Sequence, residues 1–183
     1  MTKGKDKNNL PPVHLWNPPH CGDIGMEIRA DGSWWHAGRR ITRDKLVRLF
    51  STILRKDDDG QTYLVTPYEK IIVHVEDAPF LAIRLDRWGT GEAGQTLRFT
   101  TNLGDITAAS KDYPLTVLTD PETGEPAPYM RIRGRLDAKL TRACFYELAD
   151  LAVPNAQDNG ATLGVWSEGV FFAIGPSEYG AAQ

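Results

Sequence analysis

The sequence predicts an α+β protein built from two similar halves, each with the order hairpin, helix, hairpin and with antiparallel strands packed on one amphipathic helix. Three observations predict this class. Two stretches have apolar residues at helical spacing, β-prone segments separated by turn residues surround each stretch, and this order of elements occurs twice. A lone hairpin is only marginally stable, so each helix must cover the strands beside it.

The composition excludes several classes of protein. The chain has 183 residues, 41% of them hydrophobic, which is enough for one domain or two small packed halves. Its 21 Lys and Arg residues against 24 Asp and Glu give a net charge of −3, so we expect no nucleic-acid partner. The 2 cysteines form no Cys-x-x-Cys motif, which suits a reducing cytoplasm. No apolar run resembles a signal peptide or a membrane span, so we expect a cytoplasmic protein that binds no membrane.

Shifts in composition predict four segments along the chain. We expect an extended, proline-rich N-terminal arm at residues 1–24 and a first α+β repeat at 25–86. Connecting strands then occupy 87–112, and a second α+β repeat occupies 113–183.

The first repeat is predicted from a turn motif and a helical period. Asp31-Gly32 lies between β-prone runs and is typical of a tight hairpin turn, in which both central residues need a positive φ. Alternation along this hairpin sends Trp34 to one face and Trp35 to the other. Helical spacing of apolar residues indicates a helix over 43–56, with Thr42 as its N-cap. A second hairpin, turning at Pro67, completes the repeat.

The rest of the chain continues in strands and ends with a similar set of elements. The glycines of 89–94 imitate a dinucleotide fingerprint, but they lie between two predicted strands and open no helix. We expect Asp137 to cap a second helix that Pro154 closes. In alignment, Phe145 falls on Phe50, and we interpret the agreement as an internal duplication, although apolar strands also align by chance.

A basic segment is the first candidate binding site. Residues 39–56 hold seven basic side chains against one acidic side chain, beginning with Arg39 and Arg40. Beside a helix N-terminus, such a segment can bind an anion or a phosphate group. The common alternative is a solvated helix face balanced by the aspartates that follow.

A second candidate site lies at the predicted seam between the halves, because pockets are common where domains meet. Pro79 interrupts a strand, the turn from Asn102 to Asp105 concentrates polar atoms, and Arg142 can neutralise an anion. Alternatively, Arg142 is a brace that pairs with Asp77 or Asp105. The residues predicted for this site are Asp77, Pro79, Phe80, Asn102, Asp105 and Arg142.

No motif for catalysis or for metal binding reaches useful specificity. His20-Cys21 lacks the paired ligand spacing that zinc needs, and Cys144 lies on the apolar face of a predicted helix, where a free cysteine is ordinarily part of the core. We therefore expect no cofactor and no metal. An enzyme acting on a small anionic metabolite stays open as an alternative, with Asp77, Asp105 or His74 as its base.

Several stretches resemble a proteobacterial family of uncharacterised proteins, DUF1285. They include Pro12 to Pro19, Asp31 to Trp34, Leu46 to Phe50 and Val75 to Phe80, and the resemblance extends over about residues 11–175. It implies a two-part α+β fold with repeated motifs, and a role in ligand sensing or signal transduction. It brings no catalytic residues.

The residues and the resemblance together lead to one functional expectation. We expect a bacterial, cytoplasmic ligand-binding or regulatory protein without catalytic activity, whose partner is a small anionic ligand or another protein. A protein-interaction module with exposed aromatic side chains is a further alternative. Self-association into a homodimer stays open.

Overall fold

The computed structural model describes residues 10–19 and 22–176. The chain divides into two compact units, Met1–Asp77 and Ala78–Gln183. Part of the predicted arm, including His20 and Cys21, lies outside the described residues, as does the end of the chain. No helix in the described part is long and apolar enough to cross a membrane.

The described residues of the first unit form one six-stranded sheet with one α-helix. The strands lie in the order β3-β2-β1-β6-β5-β4, where β1 and β6 are parallel and all other neighbours are antiparallel. The elements are a 3-10 turn (Val13–Leu15), β1 (Met26–Ile28), β2 (Trp34–His36), β3 (Arg39–Arg40), α1 (Asp44–Thr52), β4 (Leu54–Lys56), β5 (Thr62–Val65) and β6 (Lys70–Val75).

One face of this sheet forms the core of the first unit. Trp34 is buried while Trp35, next to it on β2, is half-buried, which confirms the predicted alternation. Phe50 of α1 stacks on Trp34 with ring centroids 6.3 Å apart, and Val47 of α1 is buried. The helix therefore covers the face of the sheet that carries Trp34.

Helix α1 is shorter than the sequence predicts. It ends at Thr52, and Leu54 begins β4, where it is buried opposite Leu64. The hydroxyls of Ser51 and Thr52 donate to carbonyl oxygens three residues earlier, so they compete with helix continuation. The N-cap is Arg43 instead of Thr42, and no side chain caps the helix.

Arg55 attaches the N-terminal arm to the edge strand β4. Its Nη1 donates to the carbonyl oxygens of Val13 and Trp16, at 2.7 and 2.6 Å. The same guanidinium donates to both carboxylate oxygens of Asp57, which also accepts from Lys70 Nζ at 2.9 Å. This network fixes residues 13–16 against the sheet edge.

Residues 78–176 of the second unit form a six-stranded sheet, a separate three-stranded sheet and two α-helices. The large sheet has the order β10-β11-β12-β7-β8-β9, with β7 and β12 parallel, and the small sheet has the order β13-β14-β15. The elements are β7 (Phe80–Trp88), α2 (Gly91–Gly94), β8 (Thr96–Thr101), β9 (Ile106–Ala108), β10 (Leu115–Thr119), β11 (Pro126–Arg133), β12 (Leu136–Leu140), α3 (Arg142–Ala149), β13 (Val153–Pro154), a 3-10 turn (Ala156–Asp158), β14 (Thr162–Ser167) and β15 (Val170–Pro176).

The two six-stranded sheets have the same topology. In each, six consecutive strands form two three-stranded meanders, and the first and last strands pair in parallel at the centre. This confirms the α+β class with two similar halves. The helix differs in position, because α1 follows the third strand of its sheet whereas α3 follows the sixth. Strands β1 to β6 therefore correspond to β7 to β12, which the alignment of Phe50 with Phe145 does not reproduce.

The helix predicted to begin after Asp137 corresponds to α3, which also begins later than predicted. Asp137 lies in β12, because Leu136, Ala138 and Leu140 alternate inward and are buried in the sheet. The N-cap is Thr141, whose hydroxyl accepts from the backbone N–H of Cys144 at 3.4 Å.

The boundary between the units lies earlier than the predicted end of the first repeat. Strand β7 pairs with β12 and β8 inside the second unit, so residues 78–86 belong there. The segment 87–112, predicted as a connection, supplies strands of the same sheet. The glycine-rich loop includes the four-residue helix α2, and Gly89, at φ 69°, has no room for a Cβ because Gly94 O occupies that space.

Candidate ligand-binding site

Two residues of the predicted seam site, Phe80 and Asp105, meet in the second unit, where both contact Arg133, which was not among the predicted site residues. Arg133 Nη1 donates to Asp105 Oδ1, and the guanidinium lies 5.1 Å from the ring centroid of Phe80. Asn102 Oδ1 accepts from the backbone N–H of Leu81 at 3.0 Å, which joins the turn after β8 to β7.

This cluster is largely buried and its charges satisfy one another. The Arg133 and Asp105 side chains are 18% and 11% exposed. Burial lowers the pKa of Arg133, and the Asp105 carboxylate acts in the opposite direction. This ion pair is the internal brace predicted as the alternative to a ligand site. The cation that pairs with Asp105 is Arg133, however, and not Arg142. An Asp105 held in this way is also a poor candidate for a general base.

A bulge explains why the sequence did not reveal Arg133. Met130 and Ile132 of β11 are buried, so strict alternation would leave Arg131 and Arg133 on the outer face together. The register of β11 against β12 shifts between Arg131 and Arg133. Such a bulge re-aims side chains, and no sequence signal besides the following Gly134 marks it.

Three further residues of the predicted seam site, Asp77, Pro79 and Arg142, differ in burial. Asp77 is the last residue of the first unit and is exposed, whereas Pro79 is buried just before β7. Arg142 is exposed at the first position of α3, and it forms no ion pair with any residue in 10–19 or 22–176.

The first unit concentrates exposed positive charge where β3 leads into α1. We call this surface the basic corner. Asp44 is the one acid in the stretch from 39 to 48. The corner consists of Arg39 and Arg40 on β3, Arg43 at the N-cap, and Lys45 and Arg48 on α1, all exposed.

The structure divides the predicted basic segment into two parts. Arg55 and Lys56 lie on β4, at the opposite edge of the sheet from β3. Arg55 is already paired with Asp57. In contrast, none of the basic-corner side chains forms an ion pair with a residue that the structure describes.

An ordered tryptophan adjoins the basic corner on the outer face of the sheet. Trp35 lies opposite Arg40, and the Arg29 guanidinium is 3.6 Å from the Trp35 ring centroid. Trp35 Nε1 donates to Ser33 Oγ at 2.8 Å, and Ser33 Oγ donates to Asp31 Oδ1 at 2.5 Å. The hydrogen bonds from Ser33 hold the pKa of Asp31 below its ordinary value, and Arg40 acts in the same direction.

Of the side chains considered for catalysis, Cys144 is buried and His74 is paired with an aspartate on the surface. Burial raises the pKa of Cys144 to about 12, so its thiol is protonated at neutral pH and cannot act as a nucleophile. His74 Nε2 lies 2.5 Å from Asp23 Oδ2 on the surface. In the part of the chain that the structure describes, no three His, Cys, Asp or Glu side chains come together as a metal site.

Two family models match the two units separately. The N-terminal domain of DUF1285, a domain of unknown function, matches residues 11–78, and the C-terminal domain of DUF1285, a protein of unknown function, matches residues 79–174. The division between the two models agrees within one residue with the boundary of the compact units. No curated protein matches the chain.

Two crystal structures resemble the chain. A DUF1285 family protein from Silicibacter pomeroyi DSS-3 is 44% identical, with a TM-score of 0.86 over 96% of this chain and 92% of that chain. A DUF1285 family protein from Shewanella baltica OS155 is 28% identical, with a TM-score of 0.54 over 69% of this chain and 91% of that chain.

Proposed function

The chain belongs to the DUF1285 family, and from this premise we propose that it is a cytoplasmic protein that binds a small anionic ligand at the basic corner and does not transform it. Its role is then regulatory, as in signal transduction. The observation that carries the proposal is the basic corner itself, where residues 39–48 hold five exposed cations against one acid and none of the five forms an ion pair with a described residue.

The chemistry of these side chains favours an anion with several oxygen atoms. Four of the five are arginines, and the planar guanidinium donates two parallel hydrogen bonds to a carboxylate or a phosphate group. Like charges on neighbouring turns of a helix destabilise it, as for Lys45 and Arg48. A bound anion would remove this repulsion, so binding and local stability are linked.

A thermal-shift screen of phosphorylated and carboxylated metabolites, followed by calorimetric titration, tests the proposal. We expect a hit whose affinity falls about tenfold in the Arg39→Gln/Arg43→Gln variant, because two exposed ion pairs are lost. The matched control is Arg87→Gln/Lys111→Gln, which removes two exposed cations elsewhere and should bind normally. Equal affinity in both variants would show that the corner is not the site.

The seam site needs a separate variant. Arg142→Gln leaves the basic corner intact and removes the cation predicted for the seam. Loss of binding in Arg142→Gln, with normal binding in Arg39→Gln/Arg43→Gln, would show that the ligand binds to the second unit and not at the basic corner.

A protein-interaction role is the second candidate, favoured by exposed apolar side chains on the second unit. Trp88 and Ile106 are 59% and 54% exposed, and Arg98 lies 5.3 Å over the Trp88 ring. Such anchors are frequent at protein interfaces. A partner recovered with the unmodified protein and lost with Trp88→Ser, while anion binding is unchanged, would support this role.

A further inference from the structure

We propose that the ligand of the basic corner is a compact polyanion with several adjacent phosphate groups, and not an anion with one charged group. The inference rests on the proposed function and specifies the class of ligand. It follows from how the charges are distributed, from how exposed they are, and from the charge of the rest of the chain.

The charges of the corner extend around the sheet edge. Arg39 and Arg40 are consecutive on β3, where they lie opposite His36 and Trp35, so they point to opposite faces. Lys45 and Arg48 are three residues apart on α1 and therefore lie on one helix face. From Arg43 to Arg48 the helix rises about 7.5 Å. One phosphate group can contact only part of such a surface.

Exposure makes each contact weak. All five side chains are exposed, and an ion pair in contact with water contributes little because solvent and salt screen it. Useful affinity at this surface therefore requires several ion pairs at once. Adjacent phosphate groups supply those charges within a short distance.

The charge of the whole chain argues for a compact ligand over a nucleic-acid strand or a membrane. The net charge is −3, so an extended polyanion that passes beyond the corner meets mainly repulsion. The positive charge of the corner is confined to residues 39–48. A polyphosphorylated small molecule is small enough to contact only the basic corner, whereas a polymer or a lipid surface extends beyond it.

The test is a calorimetric titration of the full chain with phosphate, pyrophosphate and tripolyphosphate at constant ionic strength. We expect the dissociation constant to fall about threefold to fivefold with each added phosphate, the gain from one exposed ion pair. This gradient should disappear in Arg39→Gln/Arg43→Gln and in Lys45→Gln/Arg48→Gln. It should persist in the control Arg87→Gln/Lys111→Gln.

The outcomes separate the two proposals. If phosphate or citrate binds at the corner as tightly as tripolyphosphate, the polyanion inference is wrong and the proposed function stands. If a single-stranded oligonucleotide or phosphatidylglycerol vesicles bind more tightly than tripolyphosphate, the ligand is not compact and the inference is also wrong. If no probe binds and the metabolite screen finds nothing at the corner, both proposals are overturned. Amide chemical-shift changes confined to residues 39–48 would confirm the location.

Discussion

Arg133 fixes the turn between β8 and β9 to the end of β11. It pairs with Asp105, and the neighbouring Thr107 hydroxyl donates to Ile132 O at 3.1 Å. Around the same turn, Thr101 Oγ1 accepts the backbone N–H groups of Leu103 and Asp105. The conformation of this turn therefore depends in part on the Arg133 side chain, which lies on a strand further along the chain.

Replacing Arg133 with methionine should destabilise the second unit by about 3 kcal/mol, because it leaves the buried Asp105 carboxylate without its partner. Urea unfolding measures the loss. In Arg133→Met/Asp105→Asn much of the loss should be recovered, since no buried charge remains. If the double variant is as unstable as the sum of the two single variants, the ion pair is not the cause.

The Asp57 carboxylate should make the first unit sensitive to acid. Burial raises its pKa, but hydrogen bonds and charge from Arg55 and Lys70 outweigh burial and hold the pKa below its ordinary value. A carboxyl group with a lowered folded pKa stabilises the protein above its unfolded pKa, and this contribution is lost as the pH falls through the folded pKa. Asp57→Asn should therefore reduce stability at pH 7 and flatten the loss below pH 4. A pH series of thermal unfolding curves checks the prediction, with Asp112→Asn, which removes an exposed carboxylate, as the comparison.

The elements show which parts of the fold the sequence could predict. The hairpin at Asp31-Gly32 and the hairpin that turns at Pro67 follow from local turn chemistry and alternation, so the sequence predicts both. The first turn differs in detail, because Gly32 has a positive φ and Asp31 does not. The ends of α1 and the start of α3 could not. Leu54 pairs with the next strand, β5, and residues 136–140 pair with β11 and with the distant strand β7. In both places pairing in a sheet overrides a helical period, and the period alone does not indicate that pairing.

The candidate sites were predictable to a different degree. The positive charge from Arg39 to Arg48 is visible because its members are close in sequence, and the structure keeps them together. The Asp105 contact with Arg133 depends on a bulge and on strands that are far apart in sequence. Local patterns therefore identified the carboxylate and missed its partner.

Ser167 connects the small sheet to the large one, so its loss should affect both. Its Oγ donates to Ala109 O at 2.7 Å and accepts from the Leu97 N–H at 2.9 Å, fully buried. Ser167→Ala leaves two buried backbone groups unpaired, at a cost of about 1–3 kcal/mol. Hydrogen exchange should show faster exchange of the Leu97 amide. An unchanged exchange rate there would mean that another group replaces the hydroxyl.

For the whole molecule, the charge distribution predicts weak binding to nucleic acid. A net charge of −3 with one basic corner provides few contacts to a phosphate backbone. Fluorescence anisotropy with labelled DNA and RNA should show no submicromolar binding at physiological salt. Tight binding that weakens steeply with added salt would refute this prediction.

The two-residue edge strand β3 also affects whether chains of this protein associate with one another. An unpaired strand edge is a template on which another chain can add a strand, and short length and charged side chains suppress such addition. A polyanion held by Arg39 and Arg40 would neutralise the charges that keep chains apart. We therefore expect the loaded protein to be closer to its solubility limit than the free protein, with association that depends on ligand and is reversed by its removal. Light scattering at increasing tripolyphosphate concentration would detect this coupling. Unchanged scattering would mean that Arg39 and Arg40 bind the ligand but do not keep the chains from associating.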